Sequence, residues 1–157
     1  MLVVADSSPL IVLINIGHAG ILPTLFGQVF VPPEVFAELR APVRPVQVSS
    51  FVNPSPVWLI ERAPVTVENI PLLHAGELAA ISLARELKAD LLLIDEQRGR
   101  KAAAERHVAI TGTIGVLELG AHRGLLDLGT AFAAIKQTDF WISPKLLDER
   151  LKRFGAR

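Results

Sequence analysis

Two short apolar runs in this chain each end in an aspartate: Leu2-Val3-Val4-Ala5-Asp6 and Leu91-Leu92-Leu93-Ile94-Asp95. Runs of this length, apolar throughout, are what strands buried on both faces require. Between and after them the apolar spacing changes to that of helices. Short strands alternating with helices build a parallel sheet covered on both sides. A carboxylate at the exit of such a strand stands where open α/β sheets bind their ligands. The fold class expected is therefore α/β, in three α/β/α layers around a central parallel sheet.

The remaining elements follow from local signals. Leu2–Ala5 is the first strand, and Ser7, Ser8 and Pro9 open a helix that stops near Gly17. Ile21–Phe26 reads as a short helix, Val29–Val31 as a strand closed by Pro32, and Glu34–Arg40 as a helix. From Ala41 to Pro56 the prolines 42, 45, 54 and 56 leave two readings open, a mobile loop or a weak helix. Val57–Ile60 reads as an edge strand, His74–Lys88 as the clearest helix, and Leu91–Ile94 as a central strand. Glu96–His107 follows as a charged helix and Val108–Ile110 as a further strand. Helices over Thr113–Gly124, Leu128–Gln137 and Pro144–Phe154 complete the pattern. At 157 residues the chain is expected to form one domain, 1–157.

Four acids lie where this pattern calls for apolar or neutral residues. Asp6 and Asp95 close the two strands. Glu77 falls on the apolar face of its helix, with Ala80, Ile81, Ala84 and Leu87, whereas Ser82 and Glu86 point towards solvent. Glu38 lies at the edge of the face made by Val35, Phe36 and Leu39. Three of them have an ordinary alternative: a helix cap for Asp6, a first-turn acid for Glu77, a surface glutamate for Glu38. Together, however, they would gather negative charge at the carboxyl edge of one sheet. Buried carboxylates need a partner or a cation. With no cysteine and no ligand spacing among the four histidines, hard oxygen donors suit Mg²⁺ or Mn²⁺. Asp90, at the other end of its strand, serves as the internal control.

Charge and hydropathy narrow the remaining possibilities. Net charge is zero, so any affinity for nucleic acid must come from a local patch. Half of the residues are hydrophobic and mean hydropathy is +0.41. That is more apolar surface than a small monomer hides easily, and it points to a homodimer or a tight partner. The start has no basic segment and is interrupted by Asp6, unlike a signal peptide. The apolar run from Leu10 to Leu22 is too short and polar to span a bilayer. A cytoplasmic protein without membrane contact is expected.

The order and spacing of several pieces resemble the PIN domain family, the nuclease fold of many toxin–antitoxin ribonucleases. The pieces are Asp6-Ser7-Ser8-Pro9-Leu10-Ile11; Val31-Pro32-Pro33-Glu34-Val35 with Glu38; and Gly76-Glu77-Leu78-Ala79-Ala80-Ile81. Leu92-Leu93-Ile94-Asp95-Glu96 with Arg98, and Thr111-Gly112-Thr113-Ile114-Gly115-Val116-Leu117, complete the set. The likeness is closest to a PIN-like subfamily that carries a domain-of-unknown-function label. It implies catalytic acids at Asp6, Glu38, Glu77 and Asp95, with Asp6, Glu77 and Asp95 on the metal. The central-helix acid, aspartate in many members, is glutamate here.

The resemblance further implies metal-dependent hydrolysis of RNA, with a small cognate antitoxin as partner. Asp6 or Asp95 would accept the proton of the attacking water. Ser7, Ser8 and Thr113 are either contacts to phosphate or metal-bound water, or plain helix caps. Arg98, Arg100, Lys101 and Arg106 are either a track for the RNA backbone or a solvated helix face partnered by Glu96 and Glu105. Arg40 and Arg44 form a weaker patch. With no aromatic residues interleaved among these cations, base stacking is not expected. The competing readings are a Mg-dependent phosphatase, which lacks its second aspartate because Ser8 stands there, and a non-catalytic PIN-like module that binds protein.

Overall fold

The computed structural model describes residues 1–156. Its centre is a five-stranded sheet with every neighbouring pair parallel. The strands are β1 (Val3–Ala5), β2 (Val29–Val31), β3 (Leu59–Glu61), β4 (Leu91–Leu93) and β5 (Ile110–Thr111). Their order across the sheet is β3-β2-β1-β4-β5. The expected α/β class and the edge position of the third strand hold.

Successive residues along β1 and β4 face opposite layers, as the two-residue strand period demands. Val3, Ala5 and Leu93 belong to one core, and Val4, Leu92 and Ile94 to the other. The first core is closed by α1 (Ser7–Asn15), α2 (Ile21–Phe26), α3 (Pro33–Leu39), α4 (Val46–Phe51), α7 (Thr113–His122), α8 (Leu128–Lys136) and α9 (Pro144–Gly155). The second is closed by α5 (Ala75–Glu86) and α6 (Gln97–Glu105). Three layers result, as expected.

The sheet changes direction at its middle. From β1 the chain moves outward to β2 and β3, then returns to place β4 on the other side of β1. In register, Val3 pairs with Leu91, Val4 with Leu92 and Ala5 with Leu93. The exits of β1 and β4 therefore lie side by side at a switch point, the position at which open α/β sheets form a crevice.

Three local expectations are corrected. The fifth strand is Ile110–Thr111 rather than Val108–Ile110. His107 adopts φ 60°, and Val108 N–H reaches back 3.0 Å to Ala103 O, so Val108 belongs to the cap of α6. The third strand starts at Leu59, two residues late, because Val57 is 91% exposed. Ser82 is buried rather than solvent-facing: the segment 62–74 crosses α5, and Glu68 N–H donates to Ser82 Oγ at 2.9 Å. Glu68 then holds Arg85 (2.6 Å) and Arg106 (3.0 Å). Helical periodicity carries no information about an irregular segment lying over a polar face. Of the two readings left open for Ala41–Pro56, the helix is found, as α4, with Val48 and Val52 buried one turn apart.

Leu93 is fully buried between β1 and the helices of the first core. Leu93→Ala should lower the unfolding free energy by about 2–5 kcal/mol, measured from the urea midpoint. A shift below 1 kcal/mol, on the order of a surface change, would contradict this packing.

Candidate metal centre

Asp6 leaves β1 with its backbone N–H bonded to Leu93 O at 2.9 Å, next to the path that carries β4 out to Asp95. It occupies the N-cap position of α1, yet its side chain makes no capping bond. The cap reading of Asp6 therefore fails. Asp6 is 2% exposed, and its Oδ1 has no hydrogen-bond partner.

Asp95 is held from across the sheet. Thr113 donates its backbone N–H to Oδ1 (2.8 Å) and its hydroxyl to Oδ2 (2.7 Å). Thr113 is fully buried, and both its backbone N–H and its hydroxyl are spent on Asp95. Arg100, one turn into α6, folds back and donates to Ile94 O at 2.9 Å, beside the same carboxylate.

Glu77, in the first turn of α5, uses one oxygen as a cap, accepting His74 N–H at 3.1 Å. The first-turn role foreseen for it is thus real and accounts for half of the carboxylate. The other oxygen, Oε2, is buried without a partner. Glu38 on α3 accepts a hydrogen bond from the Ser7 hydroxyl. Ser7 is therefore neither a helix cap nor a free hydroxyl. Ser8 stays half-buried at the rim.

The four acids meet. Glu38, Glu77 and Asp95 each act on Asp6 through space. Three glycines show how tightly they are seated. A Cβ on Gly76 would collide with Glu38 Oε1. One on Gly99 would lie 2.8 Å from Glu77 Oε2, and one on Gly112 would lie 2.5 Å from Asp95 Oδ1. Backbone without side chain thus presses against three of the four carboxylates. Sequence reasoning missed these glycines as part of the site. The signal available was their placement one residue from Glu77, between Arg98 and Arg100, and directly before Thr113. Asp90 sits at the opposite pole, accepting Leu2 N–H at 2.6 Å.

Burial is the largest influence on the Asp6 carboxyl and, with the three neighbouring acids, raises its pKa from 3.8 to about 7 against the opposing pull of the Ser7 backbone. Asp95 is also raised by burial, with the bonds from Thr113 and the charge of Arg100 acting against the rise.

Among the described residues, no three acid, imidazole or thiolate groups are already drawn into a closed ligand set. The acids lie within Coulombic range, held in place by Ser7, Thr113 and backbone donors. The two partnerless oxygens, Asp6 Oδ1 and Glu77 Oε2, are what a bound cation would satisfy. An all-oxygen donor set of Asp6, Glu77 and Asp95, with Glu38 close by, fits a hard divalent ion such as Mg²⁺ or Mn²⁺.

Two clefts of about 820 and 930 Å³ flank the acids and share Ser8, Asp139 and Phe140. Arg100 lines the first and Arg44 the second. Arg98 and Lys101 stand exposed on α6, outside both linings. Arg40 lies over the Phe36 ring at 4.9 Å. Among the described residues, no helix is long and apolar enough to cross a membrane.

Asp6 holds its proton more tightly in the folded chain than in the unfolded one. The stability this contributes is complete below pH 3.8 and is lost as pH rises through about 7. In EDTA, the stability difference between the parent and Asp6→Asn should therefore fall between about pH 4 and 7, by up to about 1.4 kcal/mol per pH unit. Urea midpoints across that range measure it, and a difference that is flat or rises with pH would contradict the assignment.

Gly76→Ala should leave the melting temperature near that of the parent, because the clash is with the far end of a flexible side chain. It should nevertheless displace Glu38 and weaken Mn²⁺ binding about 10- to 100-fold by calorimetry, the scale of a disturbed supporting shell. Unchanged Mn²⁺ affinity would separate Glu38 from the site.

A family profile described as a PIN domain matches residues 2–156. No curated protein matches the chain, and no solved structure does. The profile spans the sheet, the helices on both its faces and all four convergent acids. This chain belongs to the PIN domain family, whose fold is that of nucleases.

Proposed function

We propose that this protein is a metal-dependent endoribonuclease that hydrolyses RNA phosphodiester bonds, the toxin of a toxin–antitoxin pair. The observation that carries the reading is the convergence of Asp6, Glu38, Glu77 and Asp95 at one switch point, with two buried carboxylate oxygens lacking any partner. A bound Mg²⁺ or Mn²⁺ would supply Lewis acidity and lower the pKa of a coordinated water.

The protein's own groups divide the remaining work. Asp6 and Glu77 offer free oxygens to the cation, and Thr113 keeps Asp95 in a fixed orientation. Glu38, steadied by Ser7, closes the cluster from α3. Of the two acids considered as proton acceptor, Asp6 suits the task better. One of its oxygens is without a partner, whereas both oxygens of Asp95 are engaged by Thr113. Arg100 and Arg44, one in each cleft, supply positive charge to a phosphate backbone crossing the acids. Arg98 and Lys101 extend that charge along α6, and Ser8 at the rim is a hydroxyl for phosphate or metal-bound water.

Exposed apolar side chains, among them Val43, Val46 and Leu72, leave surface that a protein partner would cover. The reading includes a small antitoxin and a homodimer. It also places the protein in the cytoplasm, where its RNA substrate is.

The test is incubation of the purified protein with mixed RNA and, separately, single-stranded DNA, in Mn²⁺ or EDTA. RNA should be cut only with Mn²⁺. Asp6→Asn and Asp95→Asn should each lower the rate more than about a hundredfold, beyond the usual cost of a disturbed supporting residue. Asp90→Asn should cut as the parent does. Equal cutting by all three variants would trace the activity to a contaminant, and cutting of DNA alone would overturn the choice of substrate.

A further inference from the structure

The first cleft has two unlike kinds of lining: charged groups, Arg100 and Asp95 among them, and the apolar Phe140, Trp141, Ile142 and Leu146. Trp141 is 84% exposed, by far the more open of the chain's two tryptophans, since Trp58 is half-buried and packs edge-on against Phe51 at 6.0 Å. Its neighbours on both sides turn inward: Phe140 and Ile142 pack against the first core.

The segment carrying Trp141 is anchored at each end. Thr138 donates its hydroxyl to Ile135 O at 2.7 Å and accepts Phe140 N–H at 3.2 Å. Beyond it, α9 is tied to α7 by Arg150 and Glu118 (3.1 Å from Nε) and to α8 by Lys136 and Asp148 (3.1 Å). Leu147 is buried beneath that helix. An exposed indole between two inward-packed neighbours thus stands in the wall of the cleft that Asp95 also lines.

From this arrangement we infer that Trp141 is a stacking platform for an unpaired nucleobase whose phosphate lies at Asp95 and Arg100. The inference rests on the ribonuclease reading and deepens it. Arg100 attracts a phosphate and the exposed indole accepts a flat ring, so a nucleotide matches both at once. Stacking on an aromatic side chain tolerates any base, because every base has a π face. A paired base has its faces covered, so the substrate selected is single-stranded. Aromatic residues are absent from the basic stretch at 98–106, and the platform arrives instead from the connection between α8 and α9.

The experiment uses the full chain with Trp58→Phe, leaving Trp141 as the sole indole. A dye-labelled short single-stranded ribo-oligonucleotide, the same chain with abasic positions, and an RNA duplex are titrated in Ca²⁺ while indole fluorescence and the anisotropy of the dye are followed, the anisotropy reading the variants that lack an indole. Cleavage of each is then measured in Mn²⁺. The single strand should quench Trp141. Trp141→Ala should weaken its binding about tenfold, and Trp141→Phe should restore most of the loss. The abasic chain should bind the parent and the alanine variant equally. If RNA is cut and Trp141→Ala binds it as tightly as the parent, the stacking assignment alone falls. If no variant binds or cuts RNA, the ribonuclease reading falls with it, and Trp141 belongs to a protein-binding surface.

Discussion

Burial of carboxylates, Asp6 and Glu77 above all, is the constraint around which the sheet's carboxyl edge is organised. Asp6 is taken out of water beside three further acids, and the cost, chiefly of desolvation, appears as the rise in its proton affinity. The fold offsets part of that cost through its topology. In a parallel α/β sheet each strand exit leads into a helix N-terminus, whose partial positive charge favours anions. Here α1 begins directly after Asp6, α5 begins two residues before Glu77, and α7 begins at Thr113, which holds Asp95. Helix dipoles, backbone donors and two hydroxyls thus hold the acids together, and two oxygens are left over for something the chain does not itself supply.

Close approach is the second requirement. Carboxylates on three different elements converge only if the intervening backbone takes up little room. Gly76, Gly99 and Gly112 meet that need on α5, on α6 and before α7. Gly76 and Gly99 occupy helical positions where alanine would favour the helix by about 1 kcal/mol. Local helix stability is given up at these positions for space beside a carboxylate.

Much of this was legible in the primary structure, for identifiable reasons. The buried strands announced themselves because both faces of a parallel sheet must be apolar. Asp6 and Asp95 stood out because each interrupts such a run, and Glu77 because it breaks a helix's apolar face. Ser82 was misplaced because its cover, the segment around Glu68, has no periodicity to read. The strand at 110–111 was placed two residues early because His107 takes a left-handed conformation that its identity does not require. Ser7 and Thr113 were read as caps or ligand contacts, while their bonds run to Glu38 and Asp95 across 31 and 18 residues, separations that no local rule spans.

The amino-acid order by itself determined the layered α/β architecture and the acids that do not belong in it, because periodicity and polarity are local properties set by burial. Only the folded chain decided that the four acids come within range of one another, that two of their oxygens go unpartnered, and that Trp141 joins Asp95 in one cleft. Those facts depend on the β3-β2-β1-β4-β5 strand order and on the packing of distant helices, which bring together side chains that sequence neighbours cannot reach.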